Sequence, residues 1–369
     1  MRAIVLVGGE GTRLRPLTLR TPKQLVPVLN RPLLDHLLLH LKTHGVASVT
    51  LAMTRRSDAV REAFGDGSRL GIEIEYAYEE TPLGSGGAIA SIAAGWEELF
   101  LVCNGDLISD LDVTAFVAAH RDRGAELSIS LHEVEDPSAF GVVAIDDEFH
   151  ITRFVEKPKI DDAPSSLINA GFWLFEPSLL REMDGTRFNR VEDALFPALA
   201  ASGRRIFGFH RQGYWVDVGN PDAYRHANLD LLSGAYPARL PASWPADSVA
   251  VAGVQVASDA TLVPPVLAGA GTRIGDGAVI TGPVAIGTGC VIGPSAEVTR
   301  SVLWDDVTIK ERARVTDSVI ASGACVGVGA VVEHAVIGHG ATIPSGVRML
   351  PGTRVEPDTV FEDGITETQ

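Results

Sequence analysis

The chain has 369 residues, 46% hydrophobic and 21% charged, enough for two domains that each bury a core. Its formal net charge of −16 speaks against a general nucleic-acid binder, which needs a basic face for phosphate. Cys103, Cys290 and Cys325 are far apart with no metal-ligand spacing, as in a reducing compartment. No apolar run approaches the ~20 residues of a membrane span, and the first residues lack a secretory apolar region. The expectation is a soluble cytoplasmic protein with neither nucleic acid nor membrane as partner.

Residues 1 to about 230 alternate short apolar runs with helical patterns. "AIVLV" (3–7) reads as a buried strand. The stretch that follows, "GGEGTRLRPLTLRTPK" (8–23), gathers glycines and basic residues in an otherwise acidic chain. Backbone N–H groups of such a turn can approach phosphate oxygens, and a helical turn after it adds a favourable dipole. Arg13, Arg15 and Lys23 supply charge. The stretch has neither the Walker ending nor the GxGxxG fingerprint, so composition alone leaves open a glycine turn with solvated arginines.

"RPLLDHLLLHLKTHG" (31–45) puts Leu33, Leu34, Leu37, Leu38 and Leu41 on one helical face, with Pro32 in the first turn and Gly45 as the stop. "SVTLAM", "IEIEYAY" and "LFLVCNGD" read as strands, and 112–123 as a helix. The alternation predicts an α/β domain on a mostly parallel sheet, with ligands beyond the carboxyl ends of its strands. Both the loop at 8–13 and "NGD" (104–106) fall there.

"SGAYPARLPASWPADS" (233–248) has three prolines and little periodicity, as in a linker. Beyond it the period becomes six. Leu262, Ala268, Ile274, Ile280, Ile286, Ile292 and Val298 recur at that interval. Five-residue steps at "RSVL", "DSVI" and "HAVI" then restart the series at Leu303, Ile320 and Ile337, ending at Phe361. This hexapeptide period predicts a parallel β-helix that stacks one aliphatic residue above the last. The expected organisation is 1–232 as one domain, 233–260 as linker and 261–369 as β-helix.

Gly8-Gly9-x-Gly11-Thr12-Arg13-Leu14-x-Pro16-Leu17-Thr18, with Pro22-Lys23 and Pro27, resembles the signature of the nucleoside-diphosphate-sugar pyrophosphorylases, the sugar-1-phosphate nucleotidyltransferases. "EETPLGSGGAI" (79–89), "NGD", "FGVV" (140–143), "EKP" (156–158), "NAG" (169–171) and "YWVDVG" (214–219) resemble later blocks of that family, in order. With the hexapeptide tail, the pattern is most similar to the long type of mannose-1-phosphate guanylyltransferases. The resemblance implies a Rossmann-like nucleotidyltransferase domain followed by a left-handed β-helix.

The implied reaction joins a nucleoside triphosphate to a sugar 1-phosphate and releases pyrophosphate. The sugar-phosphate oxygen attacks the α-phosphorus in line, so positioning and charge neutralisation carry the catalysis. By resemblance, Val7, Gly8, Gly9, Gly11, Thr12 and Arg13 hold the nucleotide, together with Glu79, Glu80, Gly84, Asn104 and Gly105. Arg13 faces the departing pyrophosphate and Lys23 the reacting phosphates. Asp106 and Asp217 are the implied Mg2+ ligands; their spacing alone indicates no metal pair. Gly141, Glu156, Lys157, Asn169, Gly171 and Trp173 are the implied sugar-binding set, although Trp173 also reads as a core aromatic.

The carboxylates Glu79 and Glu80 favour GTP, because a carboxylate accepts from guanine N1–H and its 2-amino group together while adenine lacks that edge. Ser85-Gly86 stands where many guanylyltransferases have Thr-Ala, and Asp193 in "RVEDALFP" (190–197) where the family often has a basic residue. Either Asp193 points away from the sugar phosphate or the acceptor differs from mannose 1-phosphate. Glucose 1-phosphate, a heptose phosphate or a cyclitol phosphate stays open as acceptor, and ATP, dTTP or UTP as donor. A catalytically silent regulatory subunit is the reading from another class; retained Gly11, Arg13, Lys23, Asp106 and Asp217 argue against it. His334 and His339 raise acyl transfer, which the short tail disfavours. Flat β-helix faces predict a homo-oligomer.

Overall fold

The fold is described from a computed structural model, which describes residues 1–54, 58–234, 249–250, 253–362 and 365–366. Most of the expected linker, residues 235–248 and 251–252, lies outside the described residues. By packing the chain divides into two compact units, Met1–Gly9 with Leu34–Trp215, and Glu10–Leu33 with Val216–Gln369.

The first unit is built on one sheet. In chain order its strands are β1 (Arg2–Leu6), β2 (Ser48–Thr54), β3 (Glu73–Glu79), β4 (Phe100–Asn104), β5 (Leu127–Glu133), β6 (Gly141–Ile145), β7 (Ile151–Glu156), β8 (Leu167–Phe175) and β9 (Ile206–His210). Across the sheet the order is β7-β6-β8-β4-β1-β2-β3, with β5 paired to β8 and β9 to β5. The β4-β1-β2-β3 half is parallel, as the alternation predicts. Antiparallel β8 then joins β4 and carries the region of the sugar-side motifs.

Helix α1 (Leu33–Thr43) starts two residues later than the sequence pattern suggests, because Arg31–Pro32 is taken into a short two-stranded ribbon with Pro27–Val28. Leu33, Leu34, Leu37, Leu38 and Leu41 are buried and Gly45 ends it at φ +78°. Helix α2 spans Asp58–Phe64, and α3 Gly84–Ile92. The helix expected at 112–123 is α4, Val113–Asp122, capped by Asp112, whose carboxylate accepts from Ala115 N at 2.8 Å.

The second unit contains the opening loop, helix α5 (Pro221–Leu232) and three sheets that wind as a β-helix, parallel throughout except for the last strand, Ile365–Thr366. Every expected aliphatic position from Ile274 to Val355 is buried in one continuous core, with Leu262 and Phe361 packed against it at either end. The five-residue steps have a structural cause. Coils pair at intervals of 18 residues (Ile280 with Val298), then 17 (Val298 with Val315, Val315 with Val332). At each shortened corner one residue turns left-handed: Arg300, Asp317 and His334, at φ +41°, +50° and +46°.

Candidate active site

In the first unit the candidate nucleotide residues collect at the carboxyl ends of β1 and β4. Parallel pairing sets Leu6 beside Asn104, and Gly105 N donates to Leu6 O at 2.9 Å. A side chain at Gly105 would collide with Val7, so the close approach of these two strand ends requires glycine. Val7 is buried and donates its N–H to Ala52 O. Gly8 and Gly9 follow it, and Asp106 leaves β4 in the same neighbourhood. Gly171, at φ +77°, keeps room for Asn104: a Cβ there would stand 2.8 Å from Asn104 Nδ2.

Glu79 ends β3, and its Oε2 accepts from Leu83 N at 3.1 Å, closing the turn into α3. Burial pushes its pKa up, partly opposed by that N–H. Glu80, next in the turn, is exposed. Gly84 opens α3 at φ +71°. Gly86 packs its backbone on Asn189, donating N–H to Asn189 O at 3.0 Å, and a Cβ would strike the Asn189 side chain. This close approach explains glycine where an alanine is common. Ser85 Oγ donates to Glu192 Oε2 at 2.6 Å and accepts from Val191 N at 3.0 Å.

The sugar-side candidates meet on neighbouring strands. Glu156 pairs with Gly141 across β7 and β6, and Ile168, next to Asn169, pairs with Val142. A Cβ on Gly141 would sit 2.8 Å from Glu156 Oε2. Glu156 Oε1 lies 3.4 Å from Lys157 Nζ and 3.1 Å from Arg190 Nη2. Asn169 Oδ1 accepts from Gly171 N at 3.0 Å and Trp173 Nε1 at 2.7 Å. Trp173 is fully buried, edge-on to Phe196, so its ring belongs to the core and its N–H braces Asn169.

Asp193 is half-exposed and paired with Arg190 Nη1 at 3.4 Å. Arg190 therefore serves Glu156, Glu192 and Asp193 together. Burial works against its charge, but the three carboxylates raise its pKa overall. Burial raises the pKa of Glu192, opposed by Ser85 and Arg190. Arg190 is absent from the residues predicted above, although the quoted "RVEDALFP" places it three residues before Asp193. Its tie to Glu156 carries no sequence signal.

In the second unit the opening loop has no α-helix. It makes three single 3₁₀ turns, Thr12–Leu14, Leu17–Leu19 and Lys23–Leu25. The expected helical turn is thus one turn long, and its dipole correspondingly small. Gly11 introduces the first turn at φ +62°, held by Thr18 Oγ1 donating to Gly11 O at 2.7 Å. The loop brings Arg13 Nη2 to 3.5 Å from Asp217 Oδ2, and Lys23 Nζ to 3.6 Å from Asp217 Oδ1. Lys23 is buried, which a lysine tolerates only beside a counter-charge. Two cations and a carboxylate distant in sequence so form one cluster. Gly219 makes it possible: a Cβ there would be 2.9 Å from both Arg13 Nη2 and Asp217 Oδ2.

Asp106 belongs to the first unit and Asp217 to the second. Among the described residues no group of three or more His, Cys, Asp or Glu is gathered for a metal ion. Each aspartate offers hard carboxylate oxygens, the donor type that suits a hard divalent cation. No helix among the described residues is long and apolar enough to cross a membrane.

Comparison with known proteins agrees with this arrangement. Residues 2–234 match the nucleotidyl transferase family, and residues 250–365 match the EIF2B subunit epsilon LbH domain, a left-handed β-helix. Mannose-1-phosphate guanylyltransferase of Mycobacterium tuberculosis is 40% identical over 237 residues, 64% of this chain and 66% of that protein. The mannose-1-phosphate guanylyltransferase catalytic subunit beta of Danio rerio is 40% identical over 226 residues, 60% of this chain and 62% of that one. The chain thus spans less than two thirds of the length of these relatives. The crystal structure of HddC from Yersinia pseudotuberculosis in complex with GMP-PN aligns at TM-score 0.54 and 27% identity, covering 62% of this chain and 99% of HddC. The nucleotidyltransferase family generally uses a divalent metal. With its signature loop, strand-end motifs and family match over residues 2–234, the chain belongs to the nucleotidyl transferase family.

Proposed function

We propose that the protein transfers a nucleotidyl group from a nucleoside triphosphate, preferably GTP, to a sugar 1-phosphate, preferably mannose 1-phosphate, giving the nucleotide sugar and pyrophosphate. The observation that carries this reading is the cluster of Arg13, Lys23 and Asp217 formed by the signature loop. The names of the relatives support the substrates. The acceptor's phosphate oxygen forms a bond to the α-phosphorus as the bond from that phosphorus to pyrophosphate breaks. An arriving triphosphate offers Arg13 an oxygen in place of Asp217 Oδ2, so Arg13 takes up charge on the departing pyrophosphate while Lys23 stays beside the reacting phosphates. Asp106 and Asp217 would hold Mg2+, which when bound neutralises phosphate charge.

Val7, Gly8, Gly9, Gly11, Thr12, Asn104 and Gly105 let main chain approach the nucleotide. Glu79 shapes the turn before α3, and Glu80 is the exposed carboxylate there for a guanine edge. Gly141, Glu156, Lys157, Asn169 and Gly171 receive the sugar phosphate, with Trp173 acting through Asn169. Asp193, paired with Arg190, is no obstacle to mannose 1-phosphate. Residues 1–232 act as the transferase domain, 233–260 as linker and 261–369 as a β-helix that assembles copies of this cytoplasmic protein. Exposed Val263, Leu350 and Val360 on the β-helix support that last role.

The test is a matrix of four nucleoside triphosphates against several sugar 1-phosphates, reading pyrophosphate. GTP with mannose 1-phosphate should lead, and Arg13→Ala should lower turnover at least a hundredfold with folding intact. A preference for ATP or dTTP would sink the guanine assignment; near-normal turnover in Arg13→Ala would sink the site.

A further inference from the structure

The loop that carries Arg13 and Lys23 is fastened to the β-helix and α5 along its length. Arg354, on a late coil, points Nη1 at Arg15 O (3.2 Å) and Arg13 O (3.5 Å). Arg20 is ion-paired with Asp358 on the next turn. Thr21 Oγ1 lies 3.1 Å from His339 Nε2. Further along, Asn30 Nδ2 donates to Ile286 O at 2.7 Å, and Leu29 N donates to Asn228 Oδ1 at 2.9 Å.

A buried relay completes the attachment. Trp304 Nε1 donates to Tyr224 OH at 2.8 Å, and Tyr224 OH in turn donates to Pro27 O. Tyr224 and Asn228 are fully buried, Trp304 nearly so, and the His339 ring stands edge-on to Trp304 with centroids 5.2 Å apart. Buried polar groups joined in this way are rigid, because losing one partner strands the other without water. The loop has only single 3₁₀ turns of its own, too little regular hydrogen bonding to hold two cationic side chains in register.

We propose that the β-helix is a positioning element for the phosphate-handling loop, with Arg354 and the Trp304–Tyr224 pair as positioning residues that fix Arg13 and Lys23. The proposal rests on the assignment of those two residues to the phosphates. The catalytic role of the loop is then inseparable from the tail, and deforming the last coils changes turnover without any contact to substrate.

Arg354→Ala and Trp304→Phe, each in the full chain, test it. Each should lower kcat for pyrophosphate release at least tenfold, since small misplacements of catalytic groups have effects of that size. KM for the sugar 1-phosphate should stay within twofold. Arg354→Lys, which keeps a donor, should recover part of the loss. The thermal midpoint of Arg354→Ala should match the wild type, separating positioning from stability. Amide hydrogen exchange over residues 11–23 should accelerate in both variants, a readout independent of turnover. If the wild type released no pyrophosphate with any substrate pair, the proposed reaction would fail while exchange still judged the attachment. Unchanged exchange, or kcat within twofold of wild type in both variants, would overturn the proposal.

Discussion

Gly219 shows what a single residue decides in this site. A methyl group there would stand 2.9 Å from Arg13 Nη2 and from Asp217 Oδ2, so one side or the other must shift. Gly219→Ala should therefore lower turnover at least tenfold while leaving the unfolding midpoint within about 2 °C, checked by pyrophosphate release and a thermal melt. The glycines, Arg13 and Lys23 stand out in the sequence as one short stretch of unusual composition, whereas the two aspartates came forward only through the family resemblance. Arg190 came forward by neither route. Its partner Glu156 reaches it only after β7 and the segment before residue 195 fold beside one another. Asp193 looked adverse as an isolated carboxylate; in the fold it shares the Arg190 guanidinium with Glu156 and Glu192.

Among the elements, the β-helix follows most directly from its sequence. Each coil stacks an aliphatic side chain on the next, so Ile309, fully buried between Ile292 and Val326, contributes to two neighbouring layers. Ile309→Ala should cost about 3 kcal/mol in urea unfolding of the intact chain. The period of six was visible; which residue would take each left-handed corner was not, since Arg300, Asp317 and His334 share no conformational preference. Asp317 binds the corner below it and α5 as well, through Arg300 Nε at 2.9 Å and Arg225 Nη1 at 2.9 Å. The hydrogen bond from Arg300 leads the causes that hold its carboxyl below the ordinary 3.8. On acidification the unfolded chain takes up the proton first, so the stabilisation is complete above that ordinary value and is lost as pH falls through the folded one. Asp317→Asn should cost about 3 kcal/mol at pH 7, because Arg225 is left buried and unpaired, with the gap to wild type closing in strongly acidic buffer.

At the scale of the molecule, the three thiols report on both units at once. Cys103 lies in β4, a central strand of the sheet, and Cys290 in the β-helix core, both buried, while Cys325 is partly exposed. Burial pushes the Cys290 thiol up to about 11 and the Cys103 thiol higher still. Native protein at pH 8 should therefore take up an alkylating reagent at Cys325 alone over minutes, and at all three sites in denaturant, read by mass spectrometry. Labelling of Cys103 as fast as Cys325 would contradict the packing of the sheet. The sequence by itself determined the two architectures and the family, since turn chemistry and side-chain periodicity are properties of neighbouring residues. Only the tertiary structure joined Arg13 and Lys23 to Asp217, gave Glu156 its second cation, and laid the opening loop on coils more than 250 residues away in the chain. Such pairings depend on which surfaces meet when cores close, and no local pattern in the chain records that choice.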